Sequence, residues 1–144
     1  MNCADPALVI ATARGWLGTP YHDQASLRGV GCDCLGLVRG VWREVVGDEP
    51  FPIPAYSRDW GETGPREVLA EGARQMMSEI ALADARPGTL ILFRMAPRAV
   101  AKHVGILTAP DRFIHAYERL GVVEEVLTPI WRRRIAFAFL FPRD

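Results

Sequence analysis

The sequence predicts an α+β domain, with N-terminal helices packed on a C-terminal antiparallel sheet of about five strands. Three observations support this. Helical spacing of apolar residues is confined to stretches before residue 78. From Pro87-Gly88 onward, short β-branched and aromatic runs follow one another, separated by turn residues. No internal repeat or low-complexity segment blurs the two halves. Helices first and a meander of strands afterwards is the α+β order. The chain has 144 residues, enough for one core and too few for two, so 1–144 is expected to form a single domain.

Asp5-Pro6 reads as N-cap and first position of a helix reaching about residue 17. Leu8, Ile10, Ala11, Trp16 and Leu17 are its packing positions, and Gly18-Thr19-Pro20 ends it. Residues 21–33 form a polar, glycine-containing loop. Asp33 suits the N-cap of the next helix, because its carboxylate can accept from free N–H groups of the following turn. Apolar residues then fall at 34, 35, 37, 38, 41, 42, 45 and 46, the pattern of a largely buried helix. Gly47 stands where a left-handed C-terminal cap would go. Prolines and glycines over 48–65 mark an ordered surface loop, with Tyr56 and Trp60 as contact candidates and Trp42 as a core residue. Pro65 opens a second amphipathic helix to about residue 77. Strands are expected at 89–93, 103–107, 112–117, 122–126 and 135–141.

Bulk properties narrow the function. Seventeen basic residues balance seventeen acidic ones, so no general attraction to nucleic acid or to an anionic membrane is indicated. Arg132-Arg133-Arg134 reads as a solvated stretch. No apolar run approaches the roughly 20 residues that span a bilayer. Three cysteines (Cys3, Cys32 and Cys34) make a poor disulfide framework. Asp5 and Arg14 break the basic-then-apolar order of an export signal. The protein is therefore expected to be made in the cytoplasm without a signal of its own.

The chemistry-bearing residues are few. Cys34 falls in the first turn of a helix, where the dipole and unpaired N–H groups would stabilise a thiolate and lower the thiol pKa. The same position equally suits a small apolar residue packed at a helix end. Of the three histidines (His22, His103 and His115), two fall in neighbouring predicted strands. Alternation puts His103, Gly105 and Leu107 on one face of their strand, and Phe113, His115 and Tyr117 on one face of the next. Cross-strand pairing can bring the two histidines side by side. With the Cys34 helix start packed on that face, the set would be a thiolate, a base, and a group that fixes the base's tautomer.

Four strings taken together resemble the NlpC-type cell-wall cysteine peptidases. They are Asp33-Cys34-Leu35-Gly36-Leu37-Val38, Pro87-Gly88-Thr89-Leu90-Ile91-Leu92-Phe93, His103-Val104-Gly105-Ile106-Leu107 and Phe113-Ile114-His115-Ala116. They match that family's D-C-S-G-[FL]-V, G-D-L-[VI]-F-F, H-V-G-I-Y and [HNQ]-A motifs in order. The resemblance runs from about Trp16 to the C-terminus. It implies a papain-like α+β core and hydrolysis of peptide bonds in peptidoglycan stems, usually between D-γ-glutamyl and diaminopimelate or lysine. It also implies Cys34 as nucleophile, His103 as base and His115 as the group that orients it, with no cofactor. The family carries a tyrosine near the oxyanion about a dozen positions before the cysteine. Tyr21 lies thirteen before Cys34 and His22 twelve, and Tyr21 with one inserted residue is the better match. Asp33 and the Cys34 N–H complete the expected oxyanion and substrate set.

Cys34-Leu35-Gly36 in place of Cys-Ser-Gly, with the small size, resembles the subgroup carried by tailed phages and gene transfer agents. That implies a particle-associated protein, with tail-tip or baseplate partners, acting at the cell wall or in the periplasm. Two other readings stay open. One is a structural zinc site of Cys32, Cys34, His103 and His115, whose ligand types fit but whose Cys-x-Cys spacing does not. The other is an inactive plug that keeps the fold in a tail.

Overall fold

A computed structural model describes residues 3–50 and 66–143. Tyr56, Trp60 and Pro65 lie outside the described residues. Helix α1 spans Pro6–Arg14 and is capped as expected, Asp5 accepting from the Ala7 N–H at 2.9 Å. It stops earlier than the spacing predicted, with Gly15 as its C-cap. Its buried side is Val9 and Ala13, continued by Trp16, while Leu8 and Leu17 are exposed. A two-stranded hairpin, β1 (Ser26–Leu27) and β2 (Gly31–Cys32), occupies the loop before α2 (Cys34–Val45). Gly47 follows α2 with a positive φ of 140°. Helix α3 (Val68–Met76) is followed by β3 (Ser78–Ile80) and a 3₁₀ turn at Leu82–Asp84. No helix among the described residues is long and apolar enough to cross a membrane.

Strands β4 (Thr89–Phe93), β5 (His103–Ala109), β6 (Arg112–Tyr117), β7 (Gly121–Val126) and β8 (Ile135–Leu140) complete the sheet, with helix α4 (Pro129–Arg134) between the last two. The order is β3-β8-β4-β5-β6-β7, antiparallel throughout. The sheet therefore has six strands, one more than expected. Short, exposed β3 joins the edge beside β8, with too few residues for a period-2 signal to show.

Alternation divides the sheet into two faces. Leu90, Leu92, Val104, Ile106, Ile114 and Ala116 point to one face, where they pack with Leu37, Val38 and Val41 of α2 and with Val9 and Ala13 of α1. Ile91, Phe93, Leu107 and Phe113 point to the other, covered by Trp131 of α4. Two close approaches to α2 rely on a missing side chain. A Cβ at Gly40 would stand 2.0 Å from Trp16 Cζ2, and one at Gly36 would stand 1.9 Å from the Ala25 carbonyl oxygen. Gly40→Ala is expected to lower stability by about 1–3 kcal/mol through overpacking, because Trp16 is buried and held at Nε1 by Glu44. Urea unfolding checks this; an unchanged midpoint would mean that α1 shifts freely.

Candidate active site

Asp33 builds the start of α2. Its Oδ1 accepts from the Gly36 N–H at 2.7 Å, and its Oδ2 accepts from the Gln24 N–H at 2.7 Å. Gln24 has a φ of 64°, a conformation that non-glycine residues rarely adopt, so Asp33 pins a strained loop to the helix. A carboxylate only accepts, so Asp33 cannot donate to an oxyanion. Its role here is to position the first turn of α2. Tyr21 is half-buried, forms an isolated bridge with Cys32, and packs against the helix-side core. His22 is exposed beside Gly31, its main-chain N–H donating to the Cys32 carbonyl.

Cys34, the first residue of α2, is half-buried. Its thiol donates to the Lys102 carbonyl at 3.9 Å, so the sulfur rests against the main chain that leads into β5 at His103. Here the structure corrects the expected placement. Helix α2 does not pack on the histidine face. The apolar stripe of α2 takes the sheet face of Leu90, Leu92, Val104, Ile106, Ile114 and Ala116, and the histidines share the other face with Phe93, Phe113 and Trp131. The helix start meets the histidine strand at the end of β5, with the sulfur beside the backbone of residues 102–104.

The expected shift of the thiol is also corrected. Burial pushes the Cys34 thiol up to about 12, and the Asp33 carboxylate adds to the rise. The N–H groups of Val104, Leu35 and Cys34 pull the other way and do not prevail. Burial likewise pushes His103 down to about 3, helped by neighbouring His115 and the Arg134 charge. At rest the site holds a thiol and a neutral imidazole. Iodoacetamide alkylation of Cys34 should therefore keep accelerating up to at least pH 9, since only the thiolate reacts. A plateau reached by pH 7 would reveal a preformed thiolate.

His103 Nε2 and His115 Nδ1 stand 2.7 Å apart, so the two histidines are side by side, as expected. His115 is fully buried, and its Nε2 lies 2.5 Å from Glu125 Oε2. Trp131 seals the pair, with ring centroids 5.1 Å from His115 and 5.8 Å from His103. Burial also pushes His115 down, against the pull of Glu125. The sequence reading missed both Glu125 and Trp131. Glu125 pairs with Phe113 across β6–β7, two positions along from His115, and so points to the same face. That register was readable once β6 and β7 were paired about the turn before Gly121.

The histidine shifts have a stability consequence. Unfolded histidine titrates near 6.5 while His103 titrates near 3, so the unfolded chain binds protons that the folded one refuses. Stability is full above about pH 6.5 and falls as the pH drops toward 3. Melting temperatures should decline from pH 7 to 5, and His103→Gln should flatten that decline. A flat wild-type profile would contradict neutral burial.

The zinc reading fares poorly on donor geometry. Both His115 nitrogens are engaged by His103 and Glu125, and Cys32 is fully buried in β2. Among the described residues no group of three or more His, Cys, Asp or Glu side chains could hold a metal ion.

Comparison with known proteins gives a consistent picture. Residues 18–139 match the NlpC/P60 family. The chain is 28% identical over 120 residues to the murein DD-endopeptidase MepS/murein LD-carboxypeptidase of Escherichia coli, covering 83% of this chain and 54% of that protein. It is 26% identical over 117 residues to the gamma-DL-glutamyl hydrolase of Bacillus subtilis, covering 78% of this chain and 24% of that one. This chain thus spans about half the length of the first relative and a quarter of the second. The crystal structure of the NlpC/p60 domain of the peptidoglycan hydrolase SagA superposes with a TM-score of 0.62 at 24% identity, covering 94% of this chain and 97% of that one. At that identity the likeness concerns the fold.

Proposed function

The chain belongs to the NlpC/P60 family, and from that premise we propose that it is a cysteine peptidase of peptidoglycan stem peptides. One observation carries the reading: a cysteine at a helix start lies against the strand whose first residue is a histidine hydrogen-bonded to a second histidine. Because His103 Nε2 is taken by His115, Nδ1 is the nitrogen that can face the thiol. The sulfur turns from the Lys102 carbonyl toward Nδ1 and gives up its proton as it attacks the scissile carbonyl carbon. The Cys34 N–H, at the helix start and without an intrahelical acceptor, donates to the developing oxyanion. His103 returns the proton to the leaving amine. Water, deprotonated by His103, then cleaves the thioester and restores the thiol. Since thiol and imidazole begin neutral, charge arises only as the bond forms.

The murein endopeptidase and gamma-glutamyl hydrolase relatives support a stem-peptide substrate, with a D-γ-glutamyl-diaminopimelate bond as the target. Digestion of purified sacculi with mass spectrometry of the released peptides tests this. New glutamate termini at the γ-carboxyl would support the bond, and cleavage elsewhere in the stem would move it. Intact sacculi after incubation with folded, alkylatable protein would overturn the peptidase reading. The Cys34-Leu35-Gly36 variant of the motif supports a further part of the proposal, that the enzyme is carried in a phage-like tail and works locally on the wall. Purified particles should then contain it at low, fixed copy number. Release only as free protein at lysis would point instead to an endolysin role.

A further inference from the structure

We infer that Glu125 is a positioning residue that sets the tautomers of both active-site histidines, so that the bare nitrogen of His103 is the one able to face Cys34. The inference rests on the peptidase reading only for its effect on turnover. The tautomer assignment itself follows from the hydrogen-bond chain.

A carboxylate has no proton to donate, so His115 Nε2, 2.5 Å from Glu125 Oε2, must carry one. A neutral imidazole has one N–H, which leaves His115 Nδ1 as an acceptor. His103 Nε2, 2.7 Å from that Nδ1, must then be the donor. The lone pair of His103 is consequently on Nδ1, the form a general base needs. Reversing the chain reverses the outcome. If His115 carried its proton on Nδ1, it would donate to His103 Nε2, and His103 Nδ1 would hold the proton. That form cannot take one from a thiol. Burial lowers both imidazoles, His115 against the pull of Glu125, and so favours the neutral form, which carries one N–H and has one tautomer to choose. The rings of Phe93, Phe113, Tyr117 and Trp131 surround the pair. Glu125 is the carboxylate that makes the choice. It reaches the buried pair from a strand edge where its side chain keeps 35% exposure.

The charge has a second consequence. When His103 becomes an imidazolium during attack, the positive charge lies two hydrogen bonds from a carboxylate, in surroundings of low dielectric. Glu125 therefore acts on the barrier more than on substrate binding, and its loss should appear in kcat and not in KM.

The test uses long-range proton–nitrogen NMR of the imidazoles in the intact protein, together with turnover. In the wild type at neutral pH, both histidines should show a protonated Nε2 and a bare Nδ1. In Glu125→Ala the Nδ1-protonated form of His103 should become populated, kcat should fall at least tenfold with KM within twofold, and Cys34 alkylation should slow. Glu125→Gln, whose amide oxygen can still accept, should recover the Nε2 tautomers and part of kcat. A wild-type His103 protonated at Nδ1 overturns the inference. So does Glu125→Ala with unchanged tautomers and kcat within twofold. The NMR assignment stands or falls without any peptidoglycan cleavage, so failure of the peptidase reading is seen separately as intact sacculi.

Discussion

Cys34→Ala is expected to abolish hydrolysis of peptidoglycan peptides while leaving the fold in place. Removing a nucleophile from a set that works as a unit lowers kcat by on the order of 10³-fold or more. The structural change is small. Alanine is the best helix former, Asp33 still caps the helix through Gly36, and only the sulfur leaves a half-buried position. Stability should change by less than about 1 kcal/mol. Cys32 provides the contrast. It is fully buried in β2 and its thiol is pushed up to about 12, mainly by burial. Cys32→Ser puts a hydroxyl into that core site and should cost about 1–3 kcal/mol of stability, with turnover retained below the lowered melting point. The two thiols have similar shifts, so pKa does not separate them. What separates them is location: Cys34 is half-buried and lies beside β5, and Cys32 is fully buried. Activity on sacculi and melting temperature, measured on both variants, decide the matter. Equal loss of activity in the two would remove Cys34 from its role.

The parts of this architecture that are governed by local chemistry could be read from the sequence. Asp5-Pro6 and Asp33 each cap a helix where a short carboxylate can reach the next turn. The strand 89–93 and the strand 112–117 have the predicted bounds, because glycine, proline and aspartate mark the turns around them. The pairing of His103 with His115 followed from strand parity alone.

Features set by longer-range competition could not be read in the same way. The amphipathic stripe of α2 shows that the helix packs but not on which face. One sheet face carries the two histidines, and the helix takes the other. The thiol shift failed for a related reason. A helix start favours a thiolate by a fraction of an elementary charge, and the desolvation of a site closed by tertiary packing outweighs it. Helix α4 was hidden because Arg132-Arg133-Arg134 reads as solvated. Its last turn does carry those arginines, and Trp131 one position earlier turns inward over the histidines. Glu125 could have been found by extending the hairpin register by one more pair.

His103→Ala should be nearly as damaging as Cys34→Ala, and by a mechanism that the neutral resting state makes sharper. With burial holding the thiol well above its ordinary value, little thiolate is present at pH 7, so attack depends on a base that takes the proton as the bond forms. Without His103 the remaining route is that small thiolate fraction, whose share rises tenfold per pH unit. The His103→Ala enzyme should therefore lose on the order of 10³-fold or more in kcat near neutrality and regain rate steadily as the pH is raised. Wild-type turnover should not show the same slope. His115→Asn is expected to be milder, because an amide oxygen can still accept from His103 Nε2, although the link to Glu125 is broken. Fold integrity can be followed by circular dichroism in each case. Initial rates on sacculi from pH 6 to pH 10 test the argument. A His103→Ala profile parallel to that of the wild type, offset by a constant factor, would show that His103 is not the base that activates the thiol.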